Sequence, residues 1–414
     1  MTHQNCRSCG AKDLIEILDL GFAPPSNALL SEEDLSKGEI HYPLVLLFCQ
    51  ECKLVQTRDF HTGEALFTPD YPYLSSTSTT WIKHSHELVD SVIKEFSLDR
   101  NSLVAEIASN DGYLLERLSQ QGIPAYGIEP TKLAADISIS RGHQVYNCFL
   151  NLGTASNIKR EKGAASVVIA NNVFAHVPEL RDFTEAAKLL LSDDGVLVIE
   201  VQYFASLLEN NLFDTIYHEH YSYFTITSLA NLLKKVGLSI SKVERIATHG
   251  GSIRVYARKY SDGSNSEGPL SSFLSLEEKI MSLDNLMNFQ KSVNRAKTDI
   301  RTFFYQQLAQ GKVNIGLGAP AKGNTLINFL GLDRGDITLV LDSAESKHGK
   351  FLPGSHIPIY PVERQYLTHA DNLIILPWNL SDEFCSIVRN FQVAKDIPMY
   401  VLLPSIQKIG PKYL

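Results

Sequence analysis

The sequence predicts an α/β protein with a small metal-centred part at its N-terminus followed by two doubly wound sheets. Three observations carry this: two Cys-x-x-Cys pairs within the first 52 residues, apolar strands alternating with helical stretches from Asn101 onward, and a second run of short strands from Val313. At 414 residues the chain exceeds what one hydrophobic core usually supports. The reading is three domains, 1–75, 76–262 and 263–414.

Residues 1 to about 70 carry the cysteine pairs and the loop-rich GFAPPSNALL, where Gly and Pro punctuate regular structure. From Asn101 the order is LVAEIA as a strand, YLLERLSQQG as a helix, then AYGIEP, SVVIANN and GVLVIEV as strands. SKVERIATHGGSIRVYARK reads as two further strands that close this part. Residues 264–310 have apolar positions three and four apart, the spacing of a packed helix pair. VNIGLGAP, ITLVLDS, HIPIYPV, NLIILPW and MYVLLP then give the second set of strands, so both larger parts are Rossmann-like.

Composition narrows the function classes. Lys plus Arg is 38 against 46 Asp plus Glu, and a net charge of -8 opposes binding to nucleic acid. The N-terminus MTHQNCRSCG has no basic stretch before an apolar one, and no run approaches the roughly 20 apolar residues of a membrane span. The expectation is a cytoplasmic enzyme without membrane or nucleic-acid partners, and a monomer. Six cysteines are too few for a disulfide scaffold.

Cys6, Cys9, Cys49 and Cys52 form two knuckles of the kind that hold a tetrahedral zinc through four sulfurs. A gap of 39 residues separates the pairs, long enough for the intervening chain to loop away and return. Four protein ligands leave no open position for water, so this zinc is expected to be structural. Cys148 and Cys385 are isolated and read as small core residues.

The turn after LVAEI carries Asn110, Asp111 and Gly112 and opens a helix at the carboxyl end of a first strand, where ligands of open α/β sheets bind. The second strand ends in Glu129, 23 residues after Glu106, placed to accept from the hydroxyls of an adenosine ribose. NAD and S-adenosylmethionine both present that ribose. G-x-G-x-x-G is needed to press a pyrophosphate onto the helix, whereas EIASNDG has one glycine. S-adenosylmethionine is therefore the expected cofactor, in a site of Glu106, Ala108, Asn110, Asp111, Gly112, Glu129, Pro130, Asn171 and Asn172. The competing reading is a nicotinamide-dependent sugar-nucleotide oxidoreductase or epimerase, suggested by the two nucleotide-binding-like sheets.

ANNVFAHVPE with His176 and DTIYHEHYSYF with Tyr217, His218, Glu219, His220, Tyr221 and Tyr223 concentrate groups able to move protons. A histidine titrating near neutral pH can take a proton from carbon beside a ketone while a tyrosine or second histidine hydrogen-bonds the enolate oxygen. H-E-H lacks the H-E-x-x-H spacing of a zinc protease.

At these residues the sequence resembles the sugar C-methyltransferases that act on thymidine-diphosphate keto sugars in deoxysugar pathways. The paired cysteines, PSNALL, YPYLSSTS, EIASNDGYLL, GIEPT, ANNVFAHV, IEVQY, DTIYHEHYSYF, HGGSIRV and GAPAKGNTL follow in that order over nearly the whole chain. The resemblance implies a zinc-binding N-terminal domain, a central methyltransferase domain and a C-terminal domain that helps hold the nucleotide sugar. It implies methylation of a carbon, carbon 3 by expectation, beside a 4-keto group. His220 would be the base, with Tyr217, Glu219 and His176 positioning it or stabilising the enolate, and Tyr71 or Tyr73 reaching in from the N-terminal domain. Tyr203, His249 and Arg254 would contact the substrate, as would Gly318, Lys322, Gly323 and Asn324 of GAPAKGN through backbone amides and an ammonium. One departure is Ala108, where the family has glycine.

Overall fold

The computed structural model describes residues 5–58, 74–260, 270–392 and 396–409. Two compact units emerge, interleaved in sequence: one takes residues 1–15, 48–205 and 220–280, the other 16–47, 206–219 and 281–414. The chain passes between them inside strands β1 (Leu14–Ala23) and β2 (Tyr42–Cys49), which linear domain boundaries cannot express.

In the first unit, β3 (Val55–Thr57) follows the second cysteine pair, and α1 (Thr79–Glu95) leads into a doubly wound sheet. Its elements are β4 (Val104–Ile107), α2 (Tyr113–Gln120), β5 (Ala125–Ile128), α3 (Lys132–Ser140), β6 (Val145–Tyr146), α4 (Leu152–Lys162), β7 (Ala165–Asn171), α5 (Leu180–Leu190) and β8 (Leu191–Gln202). After the short helix α6 (Phe204–Glu209) come β9 (Ser222–Tyr223), α7 (Ile226–Lys235), β10 (Leu238–Ile246), β11 (Ser252–Lys259) and α8 (Ser271–Ile280). The seven-stranded sheet runs β10-β11-β8-β7-β4-β5-β6. Strands β8, β7, β4, β5 and β6 are parallel, while β11 and β10 fold back antiparallel. Because β4 lies between β5 and β7, the strand order reverses at its carboxyl end, the place where such sheets bind ligands. The Val and Ile runs of β4, β7 and β8 are buried on both faces, as parallel strands covered by helices must be.

The second unit holds the long helix α9 (Leu283–Ala309), then β12 (Asn314–Leu317), α10 (Ala321–Leu330), β13 (Leu339–Asp342), β14 (Ile359–Pro361), α11 (Arg364–Leu367), β15 (Asn372–Ile375), α12 (Ser381–Arg389), β16 (Met399–Val401) and β17 (Gln407–Ile409). Its sheet order, β14-β13-β12-β15-β16-β17, repeats the same logic, with the reversal at β12. Both predicted helices of the connector are present as α8 and α9. No helix among the described residues is long and apolar enough to cross a membrane.

Candidate active site and zinc centre

The four cysteines come together in the first unit. Their Sγ atoms lie within 4.8 Å of one another, with Cys6 to Cys52 at 3.3 Å and Cys9 to Cys49 at 3.5 Å. A tetrahedral ion 2.3 Å from each sulfur would set such pairs about 3.8 Å apart, so the thiols fit a zinc with a small outward adjustment. The two knuckles are the same turn made twice. Cys6 N–H donates to Ala11 O and Gly10 N–H to Cys6 O, while Cys49 N–H donates to Leu54 O and Lys53 N–H to Cys49 O. Each turn needs a left-handed residue after its second cysteine, Gly10 at φ 80° and Lys53 at φ 64°.

This centre is tied to the histidine segments. Arg7, inside the first knuckle, donates from Nη1 to Pro178 O at 3.0 Å and lays its guanidinium 4.7 Å from the centre of the Tyr221 ring. Strand β3 pairs with β9, matching Val55 to Tyr223 and Gln56 to Ser222, and Thr57 Oγ1 donates to His220 O at 3.2 Å. Tyr221 N–H donates to Ala175 O at 2.7 Å. The result brings together three of the proton-handling side chains: the ring centres of His176 and His220 are 4.6 Å apart, and those of His220 and Tyr223 5.9 Å. His176 sits on the loop after β7, on the carboxyl edge of the sheet.

The same edge carries the turn after β4. Ala108, Asn110 and Gly112 all have left-handed φ, at 56°, 49° and 84°. Glu129 organises this turn: one carboxylate oxygen accepts Asn110 N–H at 2.8 Å and the other accepts Thr131 N–H at 2.8 Å. Glu129 and Pro130 carbonyls accept from Asn147 Nδ2. Ser75 N–H donates to Asn110 Oδ1 at 2.8 Å and the Ser76 hydroxyl to Asp111 Oδ2, so the SST of YPYLSSTS is docked on the turn. Tyr71 and Tyr73 themselves lie outside the described residues. Asn171 Nδ2 donates to Tyr113 Oη at 3.5 Å, and Asn172, left-handed at φ 53°, donates its N–H to Glu200 O.

Glu106 is the unusual group. It is 1 % exposed, and neither carboxylate oxygen has a hydrogen-bond partner among the described residues; Asp111 Oδ1 is in the same condition. Burial, then the charges of Glu129 and Asp111, push the Glu106 carboxyl well above its ordinary range. Burial likewise raises Glu129, against the N–H and hydroxyl groups that it accepts. Three carboxylates thus share one buried place, with Arg141 Nη1 3.5 Å from Asp111 as a counter-charge. Such a place suits a cationic ligand, and S-adenosylmethionine carries a sulfonium and an ammonium.

Other candidates are engaged within the protein. Arg254 donates from Nε and Nη2 to Glu200 at 3.1 and 2.9 Å and lies 3.5 Å from Glu244; Glu200 also meets His84 Nε2 at 2.6 Å. Tyr203, fully buried, donates its hydroxyl to Glu277 at 2.8 Å, and Glu277 further accepts the Ile226 and Thr227 N–H groups that open α7. Both side chains are committed to the frame of the sheet and offer a substrate little. His249 is left-handed at φ 54° with its ring 5.2 Å from that of Trp81.

The second unit contains the remaining candidates. Glu219 is buried and accepts from Asn27 through the backbone N–H and Nδ2, both at 3.2 Å, which gives PSNALL a role that its composition did not show. His218 packs against Tyr42, ring centres 6.1 Å apart. Tyr217, His218 and Glu219 belong to this unit, while His220 begins the next stretch of the other. After β12, Gly318 is left-handed at φ 80°, and a Cβ there would strike Pro377 at 2.7 Å. A Cβ on Gly323 would strike Leu376 at 2.9 Å. Lys322 donates to Asn379 Oδ1 at 2.5 Å with its ammonium 5.1 Å from the Trp378 ring centre, and burial lowers its pKa against the pull of Asp214. Asp214 accepts Trp378 Nε1–H at 2.7 Å, and burial pushes its carboxyl up to about 6. Asn324 is 1 % exposed, and both ends of its amide lack a partner among the described residues.

Three family models match the chain in succession: a zinc binding domain over residues 6–67, a methyltransferase domain over 81–243 and a C-methyltransferase C-terminal domain over 247–401. The chain is 32 % identical over 388 residues to the C-methyltransferase NovU of Streptomyces niveus, covering 93 % of this chain and 92 % of that one. The chain belongs to the S-adenosylmethionine-dependent C-methyltransferases. Its metal is zinc, and the zinc binding domain contains the four-cysteine cluster of Cys6, Cys9, Cys49 and Cys52, whose thiols fit such an ion. Among solved structures, magnesium protoporphyrin IX methyltransferase of Synechocystis PCC 6803 is 18 % identical with a TM-score of 0.33, covering 44 % of this chain and 82 % of its own. An S-adenosylmethionine-dependent methyltransferase of Anabaena variabilis is 15 % identical with a TM-score of 0.37, covering 49 % and 96 %.

Proposed function

We propose that this C-methyltransferase acts on carbon 3 of a thymidine-diphosphate-linked 4-keto deoxysugar through an enolate. The observation that carries the reading is the His176, His220 and Tyr223 cluster on the carboxyl edge of the sheet whose β4 turn gathers the buried carboxylates. A carbon nucleophile needs such a cluster: carbon beside a ketone has no lone pair to offer until a base removes its proton.

His220 is the base in this scheme. It accepts the proton from the carbon beside the carbonyl, and Tyr223 and His176 hold its imidazole while one hydrogen-bonds the oxygen on which charge develops. Glu106, Asn110, Asp111, Gly112, Glu129, Pro130, Asn171 and Asn172 line the donor site, and S-adenosylmethionine, when bound, supplies an electrophilic methyl group. Within the second unit, Lys322 and the first turn of α10 present an ammonium and backbone N–H groups, the chemistry that suits an anionic group.

Deuterium exchange tests the carbon chemistry. The enzyme without methyl donor should exchange hydrogen beside the ketone of a 4-keto nucleotide sugar with solvent, and H220N should slow both exchange and turnover by roughly 100-fold or more. Full methyl transfer with no exchange, or near-normal exchange by H220N, would remove His220 and the enolate from the scheme.

A further inference from the structure

The carboxylates at the donor turn exceed what holding the turn requires. Glu129 alone fixes Asn110 and Thr131. Asp111 has one oxygen on Ser76 and Arg141 near it. Glu106 holds nothing among the described residues, although a buried carboxylate oxygen without a donor is among the costlier groups a protein can keep. The charged groups acting on Glu106 are Glu129 from the end of β5 and Asp111 from the turn, both negative. Strand β7 on its other side presents Ile169 in register with it. Beyond these, His143 pairs with Glu116 of α2 at 3.2 Å and Arg141 is spent on Asp111. No cation among the described residues serves Glu106, so without ligand it is best accommodated with a proton.

We infer that Glu106 makes the donor site select by charge: the sulfonium donor enters with loss of the Glu106 proton, and the uncharged thioether product leaves with its return. The balance is simple. S-adenosylmethionine near neutral pH carries a sulfonium, an ammonium and a carboxylate, for a net charge of one positive; S-adenosylhomocysteine lacks the sulfonium charge and is neutral overall. Ionised Glu106 offsets the extra positive charge of the donor, and protonated Glu106 matches the product. The inference rests on the donor-site reading above, and names Glu106 as its specificity-determining residue.

Calorimetric titration of the full chain with each ligand, repeated in phosphate and in Tris, reads the protons exchanged from the dependence of the heat on buffer ionisation. The donor should release a measurable fraction of a proton and the product should release less. E106Q, which keeps size and shape, should abolish that difference and shift the ratio of donor to product affinity about ten-fold against the donor, the equivalent of one pKa unit. Equal proton release by the two ligands, or an unchanged affinity ratio in E106Q, would overturn the inference while leaving the donor site in place. Failure of either ligand to bind would instead overturn the donor-site reading, and this inference with it.

Discussion

The two sheets are built around the same device and use it oppositely. In the first unit, Glu129 at the end of β5 accepts the N–H of Asn110 in the turn after β4 and of Thr131 two residues ahead. In the second, Asp342 at the end of β13 accepts the N–H of Ala319 in the turn after β12, at 2.7 Å, and of Ala344 two residues ahead, at 2.8 Å. The surroundings then diverge. Lys347 Nζ lies 3.1 Å from Asp342 and donates to Ala319 O, so a lysine of the chain fills the place beside the acid. Burial alone would raise the Asp342 carboxyl, but Lys347 and the two N–H groups together hold it below its ordinary value. Around Glu129 no such cation acts among the described residues, and burial first, then the charge of Asp111, push the carboxyl up. One switch point is neutralised from within. The other gathers acids, so the strand order supplies a place and the local charges set which kind of ligand each place suits.

Five measurements would break or sharpen this contrast. The largest effect is expected from Asp342→Ala, which leaves Lys347 without its carboxylate and should destabilise the second unit by about 3–5 kcal/mol while the affinity for donor stays unchanged. Glu129→Ala should do the reverse, weakening donor binding in calorimetry by roughly 10- to 100-fold through a collapsed turn. The pH dependence of unfolding should also split. Asp342, held low, contributes stability that is present above the ordinary carboxylate range and lost as pH falls through its lowered value. Glu106, held high, does the opposite: donor-free stability is greatest below the ordinary glutamate value and declines as pH rises through the raised one. At neutral pH, E106Q should therefore raise the donor-free melting temperature, by about 2–4 °C for each kcal/mol relieved, and a fall would contradict the contrast. The smallest effect concerns Ala108, left-handed at φ 56°. Ala108→Gly should stabilise the turn by about 1 kcal/mol in denaturant unfolding without altering proton release.

What could be read from the sequence was what depends on period and spacing. Alternating strands and helices placed β4, β5, β7, β8 and the second sheet, and the x-x spacing of the cysteines found the zinc. Ala108 stood out because a glycine was expected there, and its positive φ gives the reason. The remainder depends on distant partners. Strands β3 and β9 have three and two residues and carry no periodicity, so the pairing that brings the second knuckle to His220 was invisible. Arg254 reads as a substrate ligand in HGGSIRV until Glu200 is found opposite it in the β11–β8 register. Asn27 gives no signal, since its target is 192 residues away. Glu106 was visible as an acid in the expected cofactor site, but its lack of a partner among the described residues is a property of the fold alone.

The reach of Arg7 from the first knuckle to Tyr221 and Pro178 makes the metal an informant on chemistry it does not perform. Thiolate ligands accept cobalt as well as zinc. A cobalt-loaded protein would carry its own colour at the root of the histidine segment, and a change in that absorption on adding a keto-sugar nucleotide would report motion there.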